Sequence, residues 1–377
     1  MTPGARIAAA MEVLDEILDG TAAEPALKGW ARGHRFAGSK DRAAIRDHVF
    51  DALRMLASSA ALGGARTGRG VMIGLLRQQG ADLDTLLNGA GHAPAPVETW
   101  ETGEIATRAD RLDLPEWLLA DWDDSLGDEA DAVAEALRAR APVFLRANLG
   151  KTDRDTARAA LAREEIETEI ATLSQTALRV TEGARAIAQS QAYADGLVEL
   201  QDAASQAVVA RLELTPGAHV LDYCAGGGGK ALALAARGAK VDVHDAEPRR
   251  MVDIPARAAR AGVTLRQVET PAPGYEIVVA DAPCSGSGSW RRDPQGKWRL
   301  TPADLDRLNA VQDMILSQIQ SLAPRIAYVT CSVLRRENGD RVAAFLAAHP
   351  GWRLEQEHQF LPGPEGDGFY MAQLTRV

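Results

Sequence analysis

The chain has 377 residues, of which 46% are hydrophobic and 25% charged, with a formal net charge of −10. That length suits two or three domains at roughly 100–200 residues each, and the ordinary composition excludes disordered, collagen-like and fibrous classes. The acidic balance excludes a uniformly basic nucleic-acid binder, leaving only local clusters of Arg and Lys for such a role.

The chain begins with helical patterns. Ile7, Met11, Leu14, Ile17 and Leu18 keep a helical spacing, as do Ile45, Val49, Leu53 and Leu56. Ser39 is placed as the N-cap of that second run, with Asp41 and Asp47 on its polar side. Further runs lie near 71–76 and 83–87, punctuated by Gly63, Gly64, Gly68 and Gly70. Residues 89–108 are rich in Gly, Ala, Pro and Glu without a period and read as a linker. A segment at 114–122 and an Ala-rich helix ending near Arg140 follow.

From Pro142 the pattern changes to a small α/β unit. Strands are predicted at 143–148, 166–171 and 177–180, with a helix at 152–163. From Gln201 strand-like runs at 219–223, 240–244, 276–280 and 326–330 alternate with helical ones, which predicts a mostly parallel, doubly wound sheet. One helix start is explicit: Thr301 as N-cap, Pro302 in the first turn and Asp304 closing a capping box. Pro255 is expected to kink the helix after Asp245. The domain division expected is 1–125 all-helical, 126–200 small α/β, and 201–377 the doubly wound domain.

The first strand of that last domain runs into Leu221-Asp-Tyr-Cys-Ala-Gly-Gly-Gly-Gly-Lys230. Ligands of open α/β sheets bind at carboxyl strand ends, and consecutive glycines let backbone approach them closely. A P-loop fails, because Cys224 and Ala231 stand where Gly and Ser or Thr are required. A dinucleotide fingerprint is weakly met by Gly226, Gly228 and Ala231. A methyl-donor site needs an acid after the second strand for ribose hydroxyls, and Asp245 stands there, although an isolated Asp is ordinarily a helix cap. The loop alone does not separate NAD from S-adenosylmethionine.

Three cysteines in a long chain make no disulfide framework, and no spacing suggests zinc. Residues 1–11 lack a secretory pattern, and no apolar stretch suits a membrane span, so a reducing cytoplasm with free thiols is expected. Cys284, in Asp281-Ala-Pro-Cys-Ser-Gly-Ser-Gly288, and Cys331, in Thr330-Cys-Ser332, both fall just past strand ends. A lone cysteine is commonly a small core residue; two on one rim, each followed by Ser, suit covalent catalysis. A thiolate adding to carbon 6 of cytosine turns carbon 5 into a nucleophile, and a second group then helps expel the thiol.

These two motifs resemble the Nol1/Nop2/Sun family of RNA cytosine-5 methyltransferases. Gln201-Asp-Ala-Ala-Ser-Gln206, residues 222–230 and Gly368-Phe-Tyr-Met-Ala372 match its pattern too. The bacterial Sun/Fmu branch, acting on small-subunit ribosomal RNA, is the nearest in kind, and Arg35-Phe-Ala-Gly-Ser-Lys-Asp-Arg42 resembles its NusB-like helical domain. The resemblance implies a Rossmann-like class I methyltransferase sheet, preceded by a small α/β unit and an all-α NusB-like domain. It implies S-adenosylmethionine as cofactor and RNA as partner, with no membrane and no metal. Cys331 becomes the nucleophile, Cys284 the group assisting release, and Asp281 the group at the N3 of the base. Cys224, Ala225, Gly226, Gly227, Gly228, Gly229 and Lys230 hold the donor's methionine end, with Asp245, Arg250 and Asp281 completing its site, and Pro283 shapes the pocket. Ala225-Gly226 stands where the family usually has Ala-Pro and Ala231 where Thr is common; Val268, Glu269 and Thr270 occupy the region of a further Asp near the adenine, whose role falls to Glu269 or is lost.

Arg335 and Arg336 are close enough in sequence to favour the Cys331 thiolate. Arg291, Arg292, Lys297 and Arg299, interleaved with Trp290 and Trp298, read as an RNA-contacting loop. Arg32, His34, Arg35, Lys40 and Arg42 form a second cluster, and Arg146 with Asn148 a third contact. The alternatives are a DNA cytosine-5 methyltransferase with Cys284 as attacker, a non-catalytic RNA-binding protein, and an NAD-dependent oxidoreductase.

Overall fold

The computed structural model describes residues 1–377, which form two compact units. The first comprises 1–123, 127–140 and 290–300; the second comprises 124–126, 141–289 and 301–377. The helical unit therefore runs past residue 125 to Arg140, and it also takes up the stretch after the Cys284 motif.

In the helical unit, Thr2 caps the helix Pro3–Leu18 by accepting from the Ala5 N–H. The next long helix is Ser39–Arg54, so its N-cap is Gly38 rather than Ser39, and the Asp41 carboxylate accepts from the Gly38 N–H at 3.2 Å. Ile7, Leu14, Ile45, Val49, Leu53, Leu56, Met72, Ile73 and Leu75 fill the core at no more than 1% exposure. Each such burial contributes about 1.5–3 kcal/mol, so the periodic positions suffice to assemble the bundle. Gly68 and Gly70 lie inside the helix Gly68–Gln78 rather than between helices.

The second unit holds two sheets. β1 (Val143–Ala147), β2 (Thr168–Ile170), β3 (Ala177–Val180) and β4 (Val198–Leu200) form an antiparallel sheet in the order β2-β3-β1-β4. The larger sheet comprises β5 (His219–Asp222), β6 (Lys240–Val243), β7 (Leu265–Gln267), β8 (Ile277–Asp281), β9 (Arg325–Thr330), β10 (Trp352–Phe360) and β11 (Phe369–Arg376). Their order is β10-β11-β9-β8-β5-β6-β7; β5 to β9 are parallel, and β10 and β11 run antiparallel.

The central strands are apolar runs because both of their faces are covered. Val220, Val279, Ala327 and Val329 pack into one core, while Leu221, Val278, Ile326 and Tyr328 pack into the other. Strand order reverses between β5 and β8, which opens a crevice at their carboxyl ends. The helix Pro302–Ile319 starts with the expected Thr301–Asp304 capping box. Pro255 lies in the first turn of the helix Ile254–Ala261, so it starts that helix instead of kinking one. No helix is long and apolar enough to cross a membrane.

Candidate active site

The crevice at the strand-order reversal collects the predicted residues. β5 ends at Asp222 and leads into the glycine loop, where Gly226 and Gly228 take φ of 50° and 81°, a region a side chain rarely tolerates. Gly228 then caps the helix Gly229–Ala236. The Asp245 carboxylate, past the end of β6, accepts from the Gly226 N–H at 2.9 Å and the Glu247 N–H at 2.9 Å and pairs with Arg250 at 3.2 Å. Asp245 thus ties the loop to the next strand.

Asp222 was not singled out by sequence, although it stands inside the quoted loop motif. It is 1% exposed, and no donor meets either carboxylate oxygen in hydrogen-bond geometry. Burial first, then the Asp281 charge, push its pKa up to about 7 against the weaker pull of Lys230 and the Ala231 N–H. Lys230 is buried and donates to Asp281 at 2.7 Å, with its ammonium over the Phe369 ring.

The two predicted cysteines meet: Cys284 Sγ and Cys331 Sγ lie 3.4 Å apart. The loops carrying them interlock. The Gly288 N–H donates to the Cys331 carbonyl at 2.9 Å, and the Gly368 N–H donates to the Gly288 carbonyl at 2.8 Å. A Cβ on Gly288 would fall 2.3 Å from the Gly368 oxygen, so the Gly368 motif is there for close approach. The pair is electrostatically unequal. The bond from Cys284, helped by the Ser289 hydroxyl and the Lys230 charge, lowers the Cys331 pKa against burial and the Asp281 charge. That same pairing with Cys331, then burial and the Glu337 charge, raises the Cys284 pKa well above the usual thiol range. Cys331 is therefore biased toward thiolate and Cys284 toward thiol. Burial, then the neighbouring acids, push the Cys224 thiol up as well.

Other expectations are corrected. Arg335 and Arg336 pair with Asp124 and Asp306; the cation acting on Cys331 is Lys230. Arg146 is 4% exposed and binds Gln201 and, at 2.8 Å, the Gly229 carbonyl; Asn148 binds the Gly196 and Ala261 carbonyls at 2.9 and 2.8 Å. Both are internal ties rather than RNA contacts. Trp290, Arg291 and Lys297 are each 2% exposed within the helical unit. There Arg54 donates to the Arg291 carbonyl at 2.8 Å, Trp298 to the Leu53 carbonyl at 2.8 Å, and Trp290 stacks on Trp122. Only Arg292 and Arg299 of that loop's cations stay exposed. By contrast Arg32, Arg35, Lys40 and Arg42 are exposed around Phe36, itself 74% exposed. Glu269 is exposed past β7. The structure has no group of three or more His, Cys, Asp or Glu arranged to hold a metal ion.

A parallel-dominated sheet with a glycine loop at its strand-order reversal defines a Rossmann-like fold, and the two cysteines on the same rim suit a methyltransferase. Residues 209–375 match the model of the 16S rRNA methyltransferase RsmB/F family, and 114–186 that of the RsmF/B-like ferredoxin-like domain. The ribosomal RNA small subunit methyltransferase B of Enterobacter sp. (strain 638) is 30% identical over 330 residues, covering 82% of this chain and 73% of the relative. That of Pasteurella multocida is 32% identical over 293 residues, 70% of this chain and 65% of the relative. The crystal structure of PH0851 shares the fold, with a TM-score of 0.77 at 19% identity over 100% of this chain and 99% of that one. A methyltransferase homologue from Pyrococcus horikoshii has a TM-score of 0.62 at 20% identity, over 71% and 97%.

The chain belongs to the RsmB/F family of RNA methyltransferases, and S-adenosylmethionine is its cofactor. The residues present fit that group: an orphaned buried carboxylate at Asp222 suits an ammonium, and the open glycine loop suits a close-lying ligand.

Proposed function

We propose that this protein methylates carbon 5 of a cytosine in small-subunit ribosomal RNA through a covalent adduct between Cys331 and carbon 6. The observation that carries this reading is the pair of unlike thiols 3.4 Å apart, beside the Lys230–Asp281 pair. A single nucleophile would need no second thiol at this distance.

In this reading Asp222, the 225–229 backbone and Lys230 hold the donor's methionine end, while Asp245 and Arg250 flank its ribose. When bound, S-adenosylmethionine supplies the electrophilic methyl group. The Cys331 thiolate forms a bond to carbon 6 as Asp281 hydrogen-bonds or protonates N3, and carbon 5 becomes nucleophilic. After carbon 5 is methylated it loses its proton to solvent water, any proton that N3 took from Asp281 returns to that carboxylate, and Cys284 assists release. The Cys331–carbon 6 bond then breaks, returning its electrons to sulfur and restoring the ring. A target cytosine in structured RNA must be flipped out to reach this crevice. We assign methyl transfer to residues from 201 on, an RNA-linking role to 126–200, and RNA contact to residues before 126, where the Phe36 patch offers a stacking ring among cations.

The test uses isotope-labelled S-adenosylmethionine and RNA from a host lacking this gene, followed by nucleoside mass spectrometry. Label in 5-methylcytidine is expected; label in another nucleoside overturns the two-thiol mechanism. Cys284→Ala should accumulate a denaturation-resistant protein–RNA adduct, and Cys284→Ala/Cys331→Ala should not.

A further inference from the structure

Behind the two thiols lies a carboxylate that this mechanism does not use. Glu337 ends the short 3₁₀ turn Arg335–Glu337 after the Cys331 loop, and it is 0% exposed. Its carboxylate accepts from the Ser285 N–H at 2.8 Å, the Ser285 hydroxyl at 2.5 Å, the Ser332 hydroxyl at 2.5 Å and the Gln312 amide at 3.2 Å. Ser285 follows Cys284 and Ser332 follows Cys331, so one side chain grips both Cys-Ser elements. The grip is reinforced on each side. Ser287 and Ser332 hydroxyls bond at 2.8 Å, Gln312 also donates to the Pro283 carbonyl at 2.9 Å, and the Tyr328 hydroxyl donates to the Glu337 carbonyl at 2.7 Å.

These four donors are neutral. A buried carboxylate is costly unless it is well paired, and a neutral amide of the same shape could make much the same ties. What an amide would not supply is charge. The Lys230 charge acts on Cys331 and the Glu337 charge on Cys284. An anion near one thiol and a cation near the other split two otherwise similar groups.

We propose that Glu337 is a positioning residue that clamps the two cysteine loops together and sets its charge against the Cys284 loop. It touches neither base nor donor; it acts through Cys284. The inference rests on the division of roles between the two cysteines in the proposed function.

The experiment measures Cys284 itself, in the full chain and without RNA. Iodoacetamide labelling of Cys284 is followed from pH 7 to 11 in a Cys331→Ala background, with circular dichroism checking that the chain stays folded. Cys284 is then faced by Glu337 and Tyr328, while Asp281 and Lys230 face the vacated Cys331 position. Glu337→Gln keeps acceptor and size but removes the charge. The Cys284 labelling midpoint should fall by about one pH unit or more. An unchanged midpoint in folded Glu337→Gln overturns the inference, since a purely structural tie would leave it in place. If Glu337→Gln does not fold, Glu337→Asp draws the charge back by one methylene; a smaller downward shift supports the inference and no shift overturns it. Failure of the cytosine-5 reading would appear in the nucleoside assay alone, so the two results are separable.

Discussion

Residues 281–289 and 290–300 follow one another in the chain, and both are dense in groups able to do chemistry. The structure uses them in opposite ways. In the first stretch Cys284 meets a second thiol, and Asp281 meets Lys230 in the crevice where the strand order reverses. In the second, Lys297 and the Trp residues are absorbed into the helical unit. Lys297 donates to the Arg54 carbonyl at 3.3 Å and faces Asp113, and burial pulls its pKa down to about 8. A cation beside aromatics therefore marked a packing site, not a nucleic-acid surface. What distinguishes the reactive stretch is imbalance: two close thiols and, nearby, a buried carboxylate with no full hydrogen bond.

The sharpest way to break this contrast is at the thiols. Cys331→Ala should lower methyl transfer by about 10³-fold or more while leaving thermal unfolding nearly unchanged. A small loss would remove Cys331 from the chemistry. In the helical unit the expectation reverses. Asp113, 0% exposed, accepts from the Ser58 N–H and hydroxyl and pairs with Arg138 at 3.0 Å. Asp113→Ala should destabilise that unit by about 3–5 kcal/mol, because it leaves the buried Lys297 without its counter-charge, whereas Lys297→Met should cost far less, since Asp113 keeps Arg138 and Ser58. Denaturant unfolding of the two variants checks the order.

Asp222 gives a pH signature. Its folded pKa is raised, so the folded protein holds a proton that the unfolded chain releases. The stability this contributes is complete below the ordinary carboxylate range and is lost as pH rises through about 7. Without donor, Asp222→Asn should flatten that slope, an effect of up to about 4 kcal/mol between pH 4 and 8. It should also weaken donor binding in titration calorimetry. The smallest effect belongs to the exposed patch around Phe36. Arg35→Ala should lower the slope of log affinity for RNA against log salt by about 1, while Arg146→Ala should not act through that slope.

Much of the fold was legible because its signals are local. β1 and β3, the parallel strands β5, β6, β8 and β9, and the capped helix at Thr301 follow from apolar runs and turn chemistry. The strands that escaped reading are of two kinds. β4 and β7 have three residues each, too short to show a period. β10 and β11 pair antiparallel, and the start of β11 lies within the Gly368–Ala372 motif, whose glycine and aromatics mask the strand pattern. The reactive residues were legible by motif, yet Asp222 and Glu337 were not, since what sets them apart is burial and the donors around them.

The sequence by itself determined which residue types stand at the carboxyl ends of the strands: Asp222, Asp245, Asp281, Cys284 and Cys331, each placed by the end of an apolar run. Only the tertiary structure decided which of them meet and in what state of charge. That follows from sheet order, which sets β8 between β5 and β9, and from burial and close charges, which raise Cys284, Cys224 and Asp222 while Asp281 keeps Lys230 charged. Desolvation and through-space charge depend on neighbours distant in the chain, and no local pattern encodes them.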